Sequence, residues 1–145
     1  MLAQAFGPNS IAHHLSATGW EDAISKAVAL LQVDLRVTAA YLDEVLAATR
    51  KLGPYFVIAP GIAIVHAAPS PSVLETGMAL LRLEEPVRSG SSNDPVHLVF
   101  AFCAVDSDSH VELLASFAQV MSTAGNVNVL LTEPDLSLVR NLLTA

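Results

Sequence analysis

At 145 residues the chain has the length of one domain and can bury a core without disulfide or metal staples. It is 52% hydrophobic and only 14% charged, against roughly 25% charged in ordinary soluble domains. The net charge of −7 excludes a general nucleic-acid binder, because no Lys/Arg cluster can neutralise phosphates; it suits docking onto a basic protein partner.

No Asp, Glu, Lys or Arg occurs from Leu52 through Leu74, so a membrane span has to be considered. Pro54, Pro60, Pro69 and Pro71 would break such a helix, and short buried strands and turns fit better. The first basic residue is Lys26, which leaves no positive leader of a secretory signal. Cys103 is the sole cysteine, so no internal disulfide can form. These features favour a cytoplasmic protein.

In chain order, Ser10–Leu15 reads as a brief strand. Thr18 and Glu21 have capping-box spacing ahead of a helix whose inner stripe is Trp20, Ile24, Ala27 and Leu31. Thr38 is expected to cap a second helix with Leu42, Val45, Leu46 and Thr49 inward, stopped near Arg50 by Gly53-Pro54. The period then changes. Tyr55–Ala59 and Ile62–Val65 are short strands about Pro60-Gly61, a sequence suited to a type II turn. Further strands are expected over Gly77–Leu83 and Val96–Val105, with Glu84-Glu85 a solvated turn before Pro86. The second of these strands, apolar almost throughout, reads as central.

Ser109 and Glu112 again have capping-box spacing after Asp106-Ser107-Asp108, with Glu112, Ser116 and Gln119 forming a narrow polar stripe. Thr132-Glu133-Pro134-Asp135 opens a last helix with Pro134 in its first turn. Helix, helix, strands, helix, helix predicts an α/β layered sandwich: a small mixed, mostly parallel sheet with helices on both faces. No repeat or linker interrupts residues 1–145, which read as one domain. The low charge leaves a homodimer open.

Phosphoryl transfer to nitrogen asks for a neutral imidazole near pH 7 and donors for phosphate oxygens. His66 ends the strand opened by Pro60-Gly61, and the small residues Ala67-Ala68 leave its ring accessible. His110 stands in the first turn of a helix after the long apolar strand, where open α/β sheets place ligands. If the two loops adjoin, His110 could hydrogen-bond a phosphate on His66. Spacing alone is weak support, and a structural histidine is the commoner case.

The segment from Gly53 through Tyr55-Phe56-Val57-Ile58-Ala59-Pro60-Gly61-Ile62-Ala63-Ile64-Val65-His66 to Ala67 closely resembles the phosphohistidine motif of EIIA domains. These are the mannitol/fructose type of the bacterial phosphoenolpyruvate-dependent sugar phosphotransferase system. Asn93-Asp94-Pro95-Val96, continuing through Asp106 to Asp108-Ser109-His110, resembles that family's second histidine motif. Element order matches from about Ser10 to Ala145, and Ala59-Pro60-Gly61 is similar to the ascorbate-type branch. The resemblance implies a relay: the phosphocarrier HPr phosphorylates His66, which passes the group to a cysteine of an EIIB partner serving a membrane EIIC. It implies that His110 stabilises the transferring group and that Arg50 lies near the active histidine. No cofactor is implied. Val65 replaces the family's usual proline, and Ala68 replaces a frequent arginine, which bears on loop geometry and partner contacts. The alternative functions are a regulatory EIIA similar to nitrogen-type relatives, or a non-catalytic binding module that kept the fold.

The remaining candidates read as structural. Neighbouring His13 and His14 would point to opposite strand faces and cannot chelate one metal, and His97 is expected to satisfy a local hydrogen bond. No ligand spacing calls for zinc at His66, His110 and Asp106. Cys103 has no basic neighbour in sequence and reads as core. Asp106, Asp108 and Ser109 serve as cap and turn residues.

Overall fold

The three-dimensional structure is a computed structural model that describes residues 2–14 and 16–145. A helical turn, α1 (Leu2–Ala5), leads into β1 (Phe6–His14), α2 (Trp20–Val33) and α3 (Ala40–Leu52). A short 3-10 turn (Pro54–Phe56) precedes β2 (Val57–Ala59) and β3 (Ile62–Val65). Then come β4 (Gly77–Val87), β5 (Val96–Cys103), α4 (Ser107–Ser122), α5 (Asn126–Thr132) and α6 (Leu136–Thr144). The expected first strand thus starts earlier, at Phe6; its last residue, Leu15, lies outside the described residues.

Among the described residues the strands form one five-stranded sheet in the order β1-β4-β5-β3-β2. The β1–β4 and β3–β5 pairs are parallel, while β4–β5 and β2–β3 are antiparallel. The architecture is the expected α/β sandwich around a mixed sheet. Period-two alternation divides the buried side chains between two layers. Ala79, Leu81, Val99 and Ala101 face Ile24, Ala27 and Leu31 of α2 and Val45 of α3. Met78, Leu80, Leu98, Phe100 and Phe102 face α4, α5 and α6 through Leu113, Phe117, Leu130 and Val139. Of the residues of β5, His97 alone is not buried, in keeping with the strand's central place.

The two strands nearest the middle carry the site's scaffold. Gly61, at φ 76°, closes the β2–β3 turn, and its N–H donates to the Asn93 carbonyl at 2.9 Å. Asn93 Nδ2 also donates to the Val57 carbonyl at 3.1 Å. Asn93 therefore clasps the start of β5 to the β2–β3 hairpin. Val65, which stands where the resembled family usually has proline, is a fully buried last residue of β3 paired with Ala101.

Several helix starts differ from the sequence expectation. Gly19, with no side-chain cap, precedes α2, and it is Asp22 Oδ2 that accepts the Thr18 N–H at 2.9 Å. Glu21 is instead bonded to Arg50, a charged partner that lies 29 positions away and is invisible to local spacing. Thr38 does not cap α3 either: its N–H donates to the Ser72 carbonyl, beside the isolated Val37–Val73 bridge, so its backbone is held by a distant segment. Asp106 caps α4, accepting the Ser109 N–H at 2.8 Å, so Ser109 is the capped residue. Asp135 caps α6, with Pro134 one position ahead of the cap. At both sites the aspartate joins the acceptor role to a charge that suits the helix dipole. Glu84 and Glu85 lie in the exposed second half of β4, which continues past them until Val87 pairs with Val96.

Replacing Asp106 with Ala should lower the thermal unfolding midpoint, whereas Glu112→Ala should leave it in place. A capping box formed by Ser109 and Glu112 would give a loss in the second variant as well, which a melting curve distinguishes.

Candidate active site

His66 follows directly on β3, and its position is fixed from both sides. Its Nδ1 stands 3.2 Å from the Ile64 carbonyl oxygen. A carbonyl only accepts, so Nδ1 carries the proton and Nε2 keeps the lone pair. On the other side, the hydroxyl of Tyr41 accepts the Ala67 N–H at 3.0 Å and donates to the Phe102 carbonyl at 2.8 Å. Tyr41 is fully buried, and that burial pushes its pKa up and keeps the O–H intact. One phenol thus ties the residue after His66 to the end of β5.

Aromatic rings wall in the imidazole. The His66 ring centroid lies 4.7 Å from that of Phe56 and 4.3 Å from that of Phe102. His110, the fourth residue of α4, meets His66 edge-on, with centroids 5.3 Å apart and planes at 73°. Phe102 also packs against His110, at 4.9 Å. Burial pulls the His66 pKa down to about 4, with the facing His110 adding to the effect and the Ile64 carbonyl opposing it. At neutral pH the ring is therefore an uncharged base. Among the described residues Nε2 of His66 and both ring nitrogens of His110 have no hydrogen-bond partner, and no buried side-chain polar atom is left unpaired. These nitrogens consequently reach solvent. A neutral nucleophilic nitrogen beside a second open imidazole can accept an electrophilic group and hold its oxygens.

An apolar groove of about 480 Å³ lies between the β2–β3 hairpin and α4, lined by residues that include Ile58, Ile64, Leu114, Phe117 and Met121. Ile58 is half exposed in it. No helix is long and apolar enough to cross a membrane, and no group of three His, Cys, Asp or Glu could hold a metal among the described residues.

Residues 4–145 match the family model described as phosphoenolpyruvate-dependent sugar phosphotransferase system, EIIA 2. The chain belongs to this EIIA family. It is 30% identical over 131 residues to the mannitol-specific cryptic phosphotransferase enzyme IIA component of Escherichia coli K12, covering 90% of this chain and 89% of the relative. It is 37% identical over 106 residues to the ascorbate-specific EIIA component of Salmonella choleraesuis, covering 72% of this chain and 69% of the relative. The solution structure of the E. coli mannitol-specific cryptic enzyme IIA superposes with a TM-score of 0.89 at 28% identity, over 99% of this chain and 97% of that one. EIIA proteins are phosphotransfer components, a coarse transferase role.

The EIIA fold brings His66 and His110 together from segments 44 positions apart in sequence. It does not join Arg50 to either of them by a hydrogen bond. The Arg50 guanidinium is exposed at the end of α3 and bonded bidentately to Glu21, at 2.9 and 2.7 Å. Cys103 is fully buried, its thiol donating to the Glu75 carbonyl at 3.3 Å, and burial pushes its pKa up to about 12. Asn93 and Asp94 serve structure at the opposite end of the strands: the Asp94 carboxylate accepts from the Ser89 and Gly90 N–H groups. Tyr41, Phe56 and Phe102 were not among the sequence candidates. The only local signal for Tyr41 was a polar-tipped aromatic on the inner stripe of α3, where buried phenols generally need a partner.

Tyr41→Phe should cost about 1–3 kcal/mol in urea unfolding, because the Ala67 N–H and the Phe102 carbonyl lose their shared partner. His66 should titrate by NMR near pH 4, with Nε2 unprotonated at neutral pH. Its unfolded-state pKa is about 6.5, so the unfolded chain binds the extra proton first and stability should fall as pH drops from about 6.5 toward 4. His66→Gln should remove that part of the pH dependence.

Proposed function

We propose that this EIIA protein accepts a phosphoryl group from HPr on Nε2 of His66 and passes it to a cysteine of an EIIB partner, serving uptake of a sugar or a sugar acid such as ascorbate. The observation that carries the reading is the open, neutral Nε2 of His66 with the edge of His110 beside it. The Nε2 lone pair attacks phosphorus in line while the bond to the donor atom of HPr breaks and that atom takes the electron pair. In the second step the EIIB thiolate attacks phosphorus and Nε2 recovers its pair, with no net change of protons on His66. Nδ1–H stays on the Ile64 carbonyl throughout, so the ring need not change tautomer.

His110 supplies an N–H to the phosphoryl oxygens as negative charge builds on them. Arg50 adds a positive charge when it exchanges Glu21 for a phosphoryl oxygen; an exposed ion pair is weak enough for such an exchange. The apolar groove along α4 offers the docking face from which both protein partners can reach His66. Support for the sugar-acid branch comes from the 37% identity to an ascorbate-specific relative.

Incubation with phosphoenolpyruvate, the first enzyme of the system and HPr should place an acid-labile phosphate on Nε2 of His66, seen by 31P NMR and peptide mapping. His66→Ala should abolish it, and absence of label on His66 in an otherwise active assay would sink the proposal. His110→Ala should slow transfer about 10²-fold, as expected for loss of one transition-state donor; a wild-type rate would remove its assigned role.

A further inference from the structure

The end of the sheet remote from His66 carries a charge that phosphotransfer does not use. Arg82 of β4 is only 6% exposed, on the side of the sheet covered by α5 and α6. It pairs in register with His13 of β1 and with Leu98 of β5, whereas His66 follows the row of Ala101 and Val65. Its Nε donates to His13 Nδ1 at 3.0 Å and its Nη1 to the Leu130 carbonyl at 3.0 Å. The Leu130 carbonyl is neutral and a His13 Nδ1 that accepts carries no proton, while His13 Nε2 in turn stands 3.7 Å from Glu84 Oε2. Among the described residues Arg82 forms no ion pair. Burial pulls its pKa down, and Glu133 supports the charge only from a distance. A buried cation with no carboxylate in direct contact is costly.

Two of the guanidinium's five N–H groups are engaged, which leaves three. Among the described residues Nη2 has no partner and no buried side-chain polar atom is unpaired, so Nη2 must open onto space. That space is a cavity of about 540 Å³ whose lining includes Arg82, His13, His97, Leu131 and Leu136, with Glu84 the one carboxylate, and its volume is within the size range of small-molecule sites. The ring of His97 has no side-chain hydrogen bond there, contrary to its expected local partner, and it stands ready as a donor.

We propose that this cavity binds a small organic monocarboxylate, its two oxygens taken by the free N–H groups of Arg82. The planar guanidinium fork matches a carboxylate in a bidentate pose. A monocarboxylate brings one negative charge toward Glu84 of the lining and Glu133, whereas a phosphate dianion would bring two. Leu131 and Leu136 accommodate a short carbon body, and His97 and Thr132 accommodate its hydroxyls.

Lactate and gluconate, titrated at constant ionic strength against a chloride control, provide the test. At least one should bind saturably, shifting the NMR signals of Arg82 Nε–H, His13 and His97 while leaving His66 in place. Affinity should fall at least tenfold in Arg82→Met. In Leu131→Glu, where a partly exposed wall residue places a tethered carboxylate at the cavity, binding of added carboxylate should be lost; this variant decides the matter if Arg82→Met does not fold. His66→Ala should bind as wild type, which separates this site from the phosphotransfer reading. No saturable binding of either acid, tighter binding of inorganic phosphate than of both, or wild-type affinity in Leu131→Glu would each overturn the proposal.

Discussion

The hydrogen bond from Nδ1 of His66 back to the carbonyl of Ile64 governs the chemistry open to the site. It assigns the proton to one nitrogen and the lone pair to the other, and it aims the lone pair outward. Burial among Phe56, Phe102 and His110 then works in the same direction by disfavouring the charged ring. A fully exposed histidine would be partly protonated near neutrality, and a fully buried one could not be reached. The partial enclosure seen here gives a neutral base with one nitrogen open.

That bond depends on where the strands stop. Parallel pairing of β3 with β5 brings Val65 beside Ala101, so the chain leaves β3 where β5 is about to turn into α4. Asp106 caps that helix, and His110 follows one turn in. Tyr41 spans the same level from the opposite layer, holding Ala67 and Phe102 with one hydroxyl. Val65 is a regular, buried end of a strand, and the chain just after it is held where the Ala67 N–H donates to the Tyr41 hydroxyl.

The far end of the sheet follows a different logic. Around His66 every side-chain polar group among the described residues either has a partner or reaches solvent. Arg82 is buried with neutral partners alone, beside a cavity. The two ends share β3, β4 and β5 but differ in what they leave unsatisfied: an open lone pair at one and unspent N–H donors at the other.

The sequence by itself determined the α/β class, the apolar central strand, the Pro60-Gly61 turn and the two histidine motifs, because alternation, helical spacing and turn residues are local properties of the chain. It misassigned the helix starts at Thr18, Thr38 and Ser109, since several residues in each stretch can cap and distant groups decide among them: Arg50 takes Glu21, and Ser72 holds Thr38. Only the tertiary structure decided the tautomer of His66, its enclosure by Phe56 and Phe102, and the clasp made by Tyr41. Each of these joins segments tens of residues apart, and no spacing rule reaches that far. The same holds for Arg82: its charge is plain in the sequence, and its isolation exists only once β1, β4 and α5 have closed around it.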